Sequence, residues 1–498
     1  MSPLSRRQLL ALGAAGAGAA AVGGAGLWWT GGGGQALGGG RELVQPEVVS
    51  SRDGVLDLAL EAAPARVRIG AREANVQAFN GSLPGPTLRV RPGDTLRVAM
   101  TNRLEAPTNL HVHGLHVSPE GNGDNPFVSI GPGESFDYEY VLPDDHPPGT
   151  YWYHPHHHGH VADQLAAGLY GTIVVEDPDP VPVARERVLV ISDLTLDGSG
   201  DLAEVTPMER MRGREGETVL VNGRLRPSAT AAPGERELWR VVNACPSRFL
   251  RLSLDGQDLR LSGRDLGRLP EAVGVTEVTL APGNRVELLV DTCEGTSTLV
   301  AVPVDRGSTA GMMDGMMDGT TGRGGPGGDE PVDLLSLEVA GDPAGDLDPV
   351  PPGPSLRDLR EEPVAARRTL DFGMGGMGGG MMGDGGGPGR MMSFTIDGQE
   401  FDAERTDQRV RVGAVEEWTL TNSSPMDHPV HLHVWPMQLV AEQGRDVSGP
   451  RWQDVVNVPA FGEVTVRVAF EDFGGRSVYH CHILDHEDLG MMGTLEAR

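Results

Sequence analysis

Lysine is missing altogether: the 41 basic residues are all arginine, and 70 acidic residues outnumber them to leave a formal net charge of −29. A chain this acidic repels polyphosphates, which excludes nucleic-acid binding as a main role. The missing lysine itself says nothing about a reaction. Cysteine is nearly absent, and three in 498 residues cannot build a disulfide framework. Cys245 and Cys293 are therefore expected to be free thiols unless an oxidising compartment pairs them. Long hydrophobic runs are lacking too. The segment after Ser5-Arg6-Arg7-Gln8, as far as Leu27, is Ala/Gly-rich and broken by glycine, which argues against a stable membrane span. With two arginines ahead of it, this stretch reads as a twin-arginine export signal. Residues 31–40 then form a flexible linker.

What remains is long enough for more than one domain, and 39% hydrophobic residues suffice for ordinary cores. Short Val/Leu/Thr strands alternate with Gly and Pro turns such as Leu83-Pro84-Gly85-Pro86 and Arg91-Pro92-Gly93-Asp94, which is β-sandwich texture. The texture recurs. Arg240-Val241-Val242-Asn243 and Thr419-Leu420-Thr421-Asn422 each end a strand after a tryptophan, an internal repeat. The expectation is an all-β chain of three Greek-key β-sandwiches: residues 1–40 as signal and linker, then 41–180, 181–345 and 346–498. Asn222-Gly223 and Asp397-Gly398 are expected hairpin turns.

Histidine carries the chemistry. None of the 15 lies between His160 and His428, and ten fall into four clusters. These are His111-Val112-His113, His154-Pro155-His156, His428-Pro429-Val430-His431-Leu432-His433, and His480-Cys481-His482 with His486. On a strand, Cys481 points to one face while His480 and His482 point to the other. A thiolate, His486 and a thioether from Met491 are parts of a blue-copper site, which needs one more imidazole. The two histidines on the opposite face cannot reach that ion and imply a second metal centre behind it. Cys481 is then a covalent wire between the two. His116, His146, His157, His158 and His160 are left without a function.

With these motifs the chain resembles the three-domain multicopper oxidases, the family of laccases, bilirubin oxidases and bacterial cuprous oxidases, from about residue 45 to the C-terminus. The resemblance rests most firmly on Gly149-Thr150-Tyr151-Trp152-Tyr153-His154-Pro155-His156 and the terminal cluster. It implies cupredoxin-like domains and four copper ions: one type 1, one type 2 and two type 3. His428, Cys481, His486 and Met491 would hold the type 1 copper. His111 and His431 would hold type 2. His113, His154 and His482 would hold one type 3 copper, and His156, His433 and His480 the other. No ligand position is substituted, which argues against the copper-free members of the superfamily. The ligands lie in the first and third sandwiches, so the cluster is expected at their interface, with the middle sandwich a bridge. Asp124 and Glu487 match acidic positions that relay protons in the family; the alternative is a loop cap for Asp124 and a surface charge for Glu487.

Two Gly-rich segments hold ten of the 18 methionines: Met312, Met313, Met316 and Met317 in one, and Met374, Met377, Met381, Met382, Met391 and Met392 in the other. Segments of this composition do not pack a core, and thioethers select Cu(I). They resemble the Met-rich inserts of cuprous oxidases, as Met426 resembles a methionine beside the substrate copper there. Ser424, however, stands where an aspartate is expected. The leading expectation is an exported, monomeric oxidase of the periplasm or cell surface that passes electrons from Cu(I), and also phenols, to O2. A laccase or bilirubin-oxidase type enzyme for aromatic donors is the second reading. A copper-sequestering protein without turnover is the third.

Overall fold

The computed structural model describes residues 41–307, 330–375 and 393–498. The local rule that builds it is period-two burial. In the strand Glu463–Phe470, Val464, Val466, Val468 and Phe470 are buried while the residues between them are at least partly exposed. Leu56, Leu58, Leu60 and Ala62 do the same in Val55–Ile69. Alternation of this kind gives each sheet one apolar face, which must be covered by another sheet.

Six sheets pair into three sandwiches, as expected. In each, a long strand runs parallel to the strand that begins the next antiparallel run: Val55–Ile69 beside Thr95–Asn102, Arg185–Leu194 beside Arg236–Asn243, and Ala366–Gly375 beside Ala414–Asn422. The repeat read from Asn243 and Asn422 is real and has a third copy at Asn102. Each asparagine is buried at its strand end and donates through Nδ2 to main-chain carbonyls: Ala106 and Ile130 for Asn102, Arg248 and Leu280 for Asn243, and Met426, Val458 and Pro459 for Asn422. Burying that amide satisfied on both sides locks one turn to another in all three units. Asn222-Gly223 and Asp397-Gly398 form tight turns with positive φ at both residues, as type I′ geometry requires.

Three separate apolar cores result, one per sandwich, with Trp239 and Trp418 fully buried in the second and third. A further cluster built from Trp152, Val161, Leu165, Val188, Val242 and Leu484 seals the junction between them. Among the strands that break the alternation because both of their faces are covered are two of the third sandwich. Every residue of His428–Leu432 and every residue from Ser477 to Cys481 is buried. One face looks into the third sandwich's own core, where Cys481 sits with Val430, Trp418 and Met491. The other meets the first sandwich. The matching strand of the middle sandwich, Leu250–Leu254, carries Leu and Arg instead of histidine. Cys245, Cys293 and Cys481 are all free thiols. Among the described residues no helix is long and apolar enough to cross a membrane.

Candidate metal centre

Strand pairing places His111 opposite His154, and His431 opposite His480. The two ladders face each other, so eight imidazoles converge: His111, His113, His154, His156, His431, His433, His480 and His482, none more than 2% exposed. His431 donates from Nδ1 to the carbonyl of Asp454, His480 to that of Cys481, and His154 to that of Pro155. A carbonyl accepts only, so in each ring the proton is on Nδ1 and Nε2 presents a lone pair. His111 likewise directs Nδ1 to Asp124 at 2.9 Å.

Those free nitrogens then crowd together. Nε2 of His111 and Nε2 of His431 stand 3.3 Å apart, and Nε2 of His480 lies 3.0 Å from that of His156 and 3.2 Å from that of His433. Where both nitrogens carry lone pairs, as for His111 and His431 with their protons on Nδ1, they repel at such a distance. A cation between them reverses the sign, and metal–imidazole bonds of about 2 Å put two donors on one ion about 3 Å apart. His113, His154 and His482 form a looser third set, with ring centroids 5.0 to 5.8 Å apart. Burial pushes His154 down to about 3 and His480 to about 4, so the rings are neutral ligands at ordinary pH.

Cys481 faces the other way, with Sγ 3.4 Å from His428 Nδ1 and 3.9 Å from His486 Nδ1. The donor atoms of these three buried residues lie within 4.8 Å of one another. Met491 is fully buried beside them, and its carbonyl accepts from the Cys481 amide at 3.1 Å. Burial alone pushes the Cys481 thiol well up, so a cation is needed to keep it a thiolate. The outer nitrogens of the two histidines differ. His486 Nε2 donates to the Met211 carbonyl at 3.1 Å, and the Phe394 ring stacks on His486 at 4.0 Å. His428 Nε2 meets only a hydroxyl, Ser424 Oγ at 2.8 Å.

Asp124 is buried against His111, accepts from the Val112 amide at 3.1 Å, and burial pushes its carboxyl up to about 8. Glu487 is also fully buried, which overturns the surface-charge alternative. Neither of its carboxylate oxygens has a hydrogen-bond partner among the described residues, and burial raises it well above the usual range. Two groups escaped the sequence reading. Asp454 supplies the carbonyl for His431 and places Oδ1 3.3 Å from His113 Nε2. Arg285 pairs with Asp454. The one sequence signal for Asp454 is an acid opening the apolar run Val455-Val456.

Met426 is buried, and its backbone bridges Gly307. Met374 is not in a loop. It lies on the strand Ala366–Gly375 opposite Phe394, half-buried against the third core. Met312, Met313, Met316, Met317, Met377, Met381, Met382, Met391 and Met392 lie outside the described residues, as does the export segment.

Of the unassigned histidines, His146 is buried, accepts from the His116 amide at 3.0 Å and donates to the Pro147 carbonyl at 3.0 Å. Burial holds it down at about 3. Its unfolded form binds a proton below about pH 6.5 while the folded form does not, so it contributes stability that is lost as pH falls. In denaturant titrations His146→Gln should flatten the acid slope between about pH 6 and pH 4 by up to roughly 1.4 kcal/mol per pH unit. Parallel curves for the two proteins would contradict this.

Three sandwiches with a histidine cluster between the first and third, and a Cys/His/Met set one strand-width behind, define a copper-dependent oxidoreductase. Comparison agrees. The multicopper oxidase family models match residues 62–180 and 382–498. A solved multicopper oxidase from Campylobacter jejuni, described as a metallo-oxidase, is 30% identical, with a TM-score of 0.78 over 92% of this chain and 95% of its own. The chain therefore belongs to the multicopper oxidase family. Multicopper oxidase mco of Staphylococcus haemolyticus is 26% identical over 92% of this chain and 93% of its own. Cell division protein FtsP of Xenorhabdus nematophila is 28% identical over 91% and 92%.

Proposed function

We propose that this oxidase takes electrons from Cu(I) at His428 and uses them to reduce O2 to water. The observation that carries the substrate is where the two Met-rich segments spring from. One follows Gly307, whose backbone bridges Met426, two residues before His428. The other follows Gly375, on a strand where the Phe372 carbonyl accepts from the Ser423 amide. The described ends of the two segments are thus tied, one to Met426 and the other to Ser423, within the turn that precedes His428. His486 is covered by Met211 and Phe394.

The assignment of ligands follows the four sets above: type 1 at His428, Cys481, His486 and Met491; type 2 at His111 and His431; type 3 at His113, His154 and His482, and at His156, His433 and His480. Bound there, four coppers supply one-electron acceptance and the four-electron reduction of O2. Cys481 joins the two faces of its strand, Asp124 holds a proton at His111, and Glu487 holds another in the buried segment after His486. The domains are residues 41–180, 181–345 and 346–498, behind a twin-arginine signal that exports a folded monomer to the periplasm or cell surface.

Ser424 favours a second reading. A hydroxyl at His428 Nε2 in place of a carboxylate suits neutral phenolic donors as well as a cation. O2 uptake with stabilised Cu(I) as sole donor separates the two. Deleting residues 308–329 and 376–392, which spares the paired strand end at Met374, should lower the Cu(I) rate at least about tenfold and keep or raise phenol oxidation. Equal Cu(I) rates for both proteins would leave an organic-substrate laccase, and copper binding without O2 uptake would leave sequestration.

A further inference from the structure

We infer that the middle sandwich, which supplies no ligand, builds the third wall of the histidine cluster through residues 281–285, and that Arg285 is a positioning residue for it. The inference rests on the cluster holding copper.

Ala281-Pro282-Gly283-Asn284 is a turn closed by the Asn284 amide donating to the Ala281 carbonyl at 3.1 Å, with Gly283 at φ +86°. Pro then Gly at the two central positions suits that geometry. The turn is pressed against a ligand. A Cβ on Gly283 would stand 2.9 Å from Cε1 and Nε2 of His482 and 3.0 Å from Cδ2, so only glycine fits.

Arg285 follows and is fully buried. Its fork donates 2.6 Å from Nη1 to Asp454 Oδ1 and 2.6 Å from Nη2 to Oδ2. Nε donates to the Thr150 carbonyl at 3.0 Å, on the strand that carries His154. Nη2 also donates to the Asp265 carbonyl, and Nη1 to that of Gly283, both at 3.1 Å. One guanidinium therefore ties all three sandwiches. Asn284 Nδ2 adds a bond to the Val455 carbonyl at 3.1 Å.

Burying an ion pair gives little net stability over an apolar pair of equal size. What the bidentate fork supplies is geometry. It fixes Asp454, whose carbonyl accepts from His431 Nδ1 at 2.7 Å and so aims Nε2 at His111. Groups that orient a ligand from behind typically change metal affinity about 10–100-fold when removed.

The test uses the full-length copper-loaded protein, with copper per chain and the paramagnetic resonance amplitudes of type 1 and type 2 as readouts. Arg285→Gln should retain type 1 copper and lose type 2 copper with about 10–100-fold weaker affinity. Arg285→Lys should restore only part, having the charge without the fork. Proportional loss of every copper, or none, overturns the inference. Should Arg285→Gln fail to fold, Gly283→Ala decides. It should displace His482 and deplete the copper held there while the blue centre persists, and an unchanged copper count overturns the inference. A wild-type protein without a type 2 signal would instead remove the copper reading beneath it.

Discussion

Cys481→Ser is expected to abolish the blue absorbance and to cut O2 uptake with every donor by at least about a thousandfold, roughly 4 kcal/mol of barrier. The change removes one atom type and leaves the backbone in place. Serine can still accept from the Ile483 amide, as Sγ does at 3.4 Å, and a buried hydroxyl costs about 1–3 kcal/mol. The fold should therefore survive, as circular dichroism would verify. Electron flow should not. His428 and His486 face one side of the strand and His480 and His482 the other, with Cys481 the residue that belongs to both. A variant that lost its colour and kept its turnover would show that electrons reach the cluster without passing through Cys481.

Removing copper is expected to lower thermal stability more than any single substitution. His111 and His431 are 320 residues apart in sequence, yet their Nε2 atoms are 3.3 Å apart, and ions bound between such pairs would fasten the first sandwich to the third. At a free concentration a thousandfold above the dissociation constant, each occupied site adds about 4 kcal/mol. Several sites together exceed the 5–15 kcal/mol that is roughly the whole stability of an ordinary domain. Chelation also leaves the close Nε2 atoms of His156, His433 and His480 without a shared cation. Calorimetry of loaded and chelated protein should show the chelated form melting well below the loaded one, the first and third sandwiches most affected. Identical transitions would mean the interface stands on its apolar seam alone.

Much of this was legible because it is local. Two residues per repeat along a strand decides that Cys481 and its neighbouring histidines face opposite ways, and that Val464, Val466 and Val468 share a buried face. The strand-ending asparagines mark the repeat, and ligand-type residues at strand spacing mark the metal centres. Other features depend on where remote surfaces land. Glu487 follows a ligand in a short acidic run whose alternative reading is a surface charge, and its burial comes from remote segments, Val161–Ala167 of the first sandwich and Pro207–Arg212 of the second, packing against residues 484–488. Met374 reads as part of a Gly/Met loop, but its pairing with Phe394 extends the strand. That the Met211 carbonyl accepts from His486 is a contact across 275 residues.

By itself, then, the amino-acid order determined the fold class, the repeat and the set of side chains able to bind copper, because periodicity and residue chemistry act within a few positions. The docking of three sandwiches decided which imidazoles converge, which of the two beside Cys481 meets a hydroxyl and which a carbonyl, and that Gly283 and Arg285 of the middle unit stand against the cluster. Those outcomes are set by complementary faces hundreds of residues apart, and no short-range pattern encodes them.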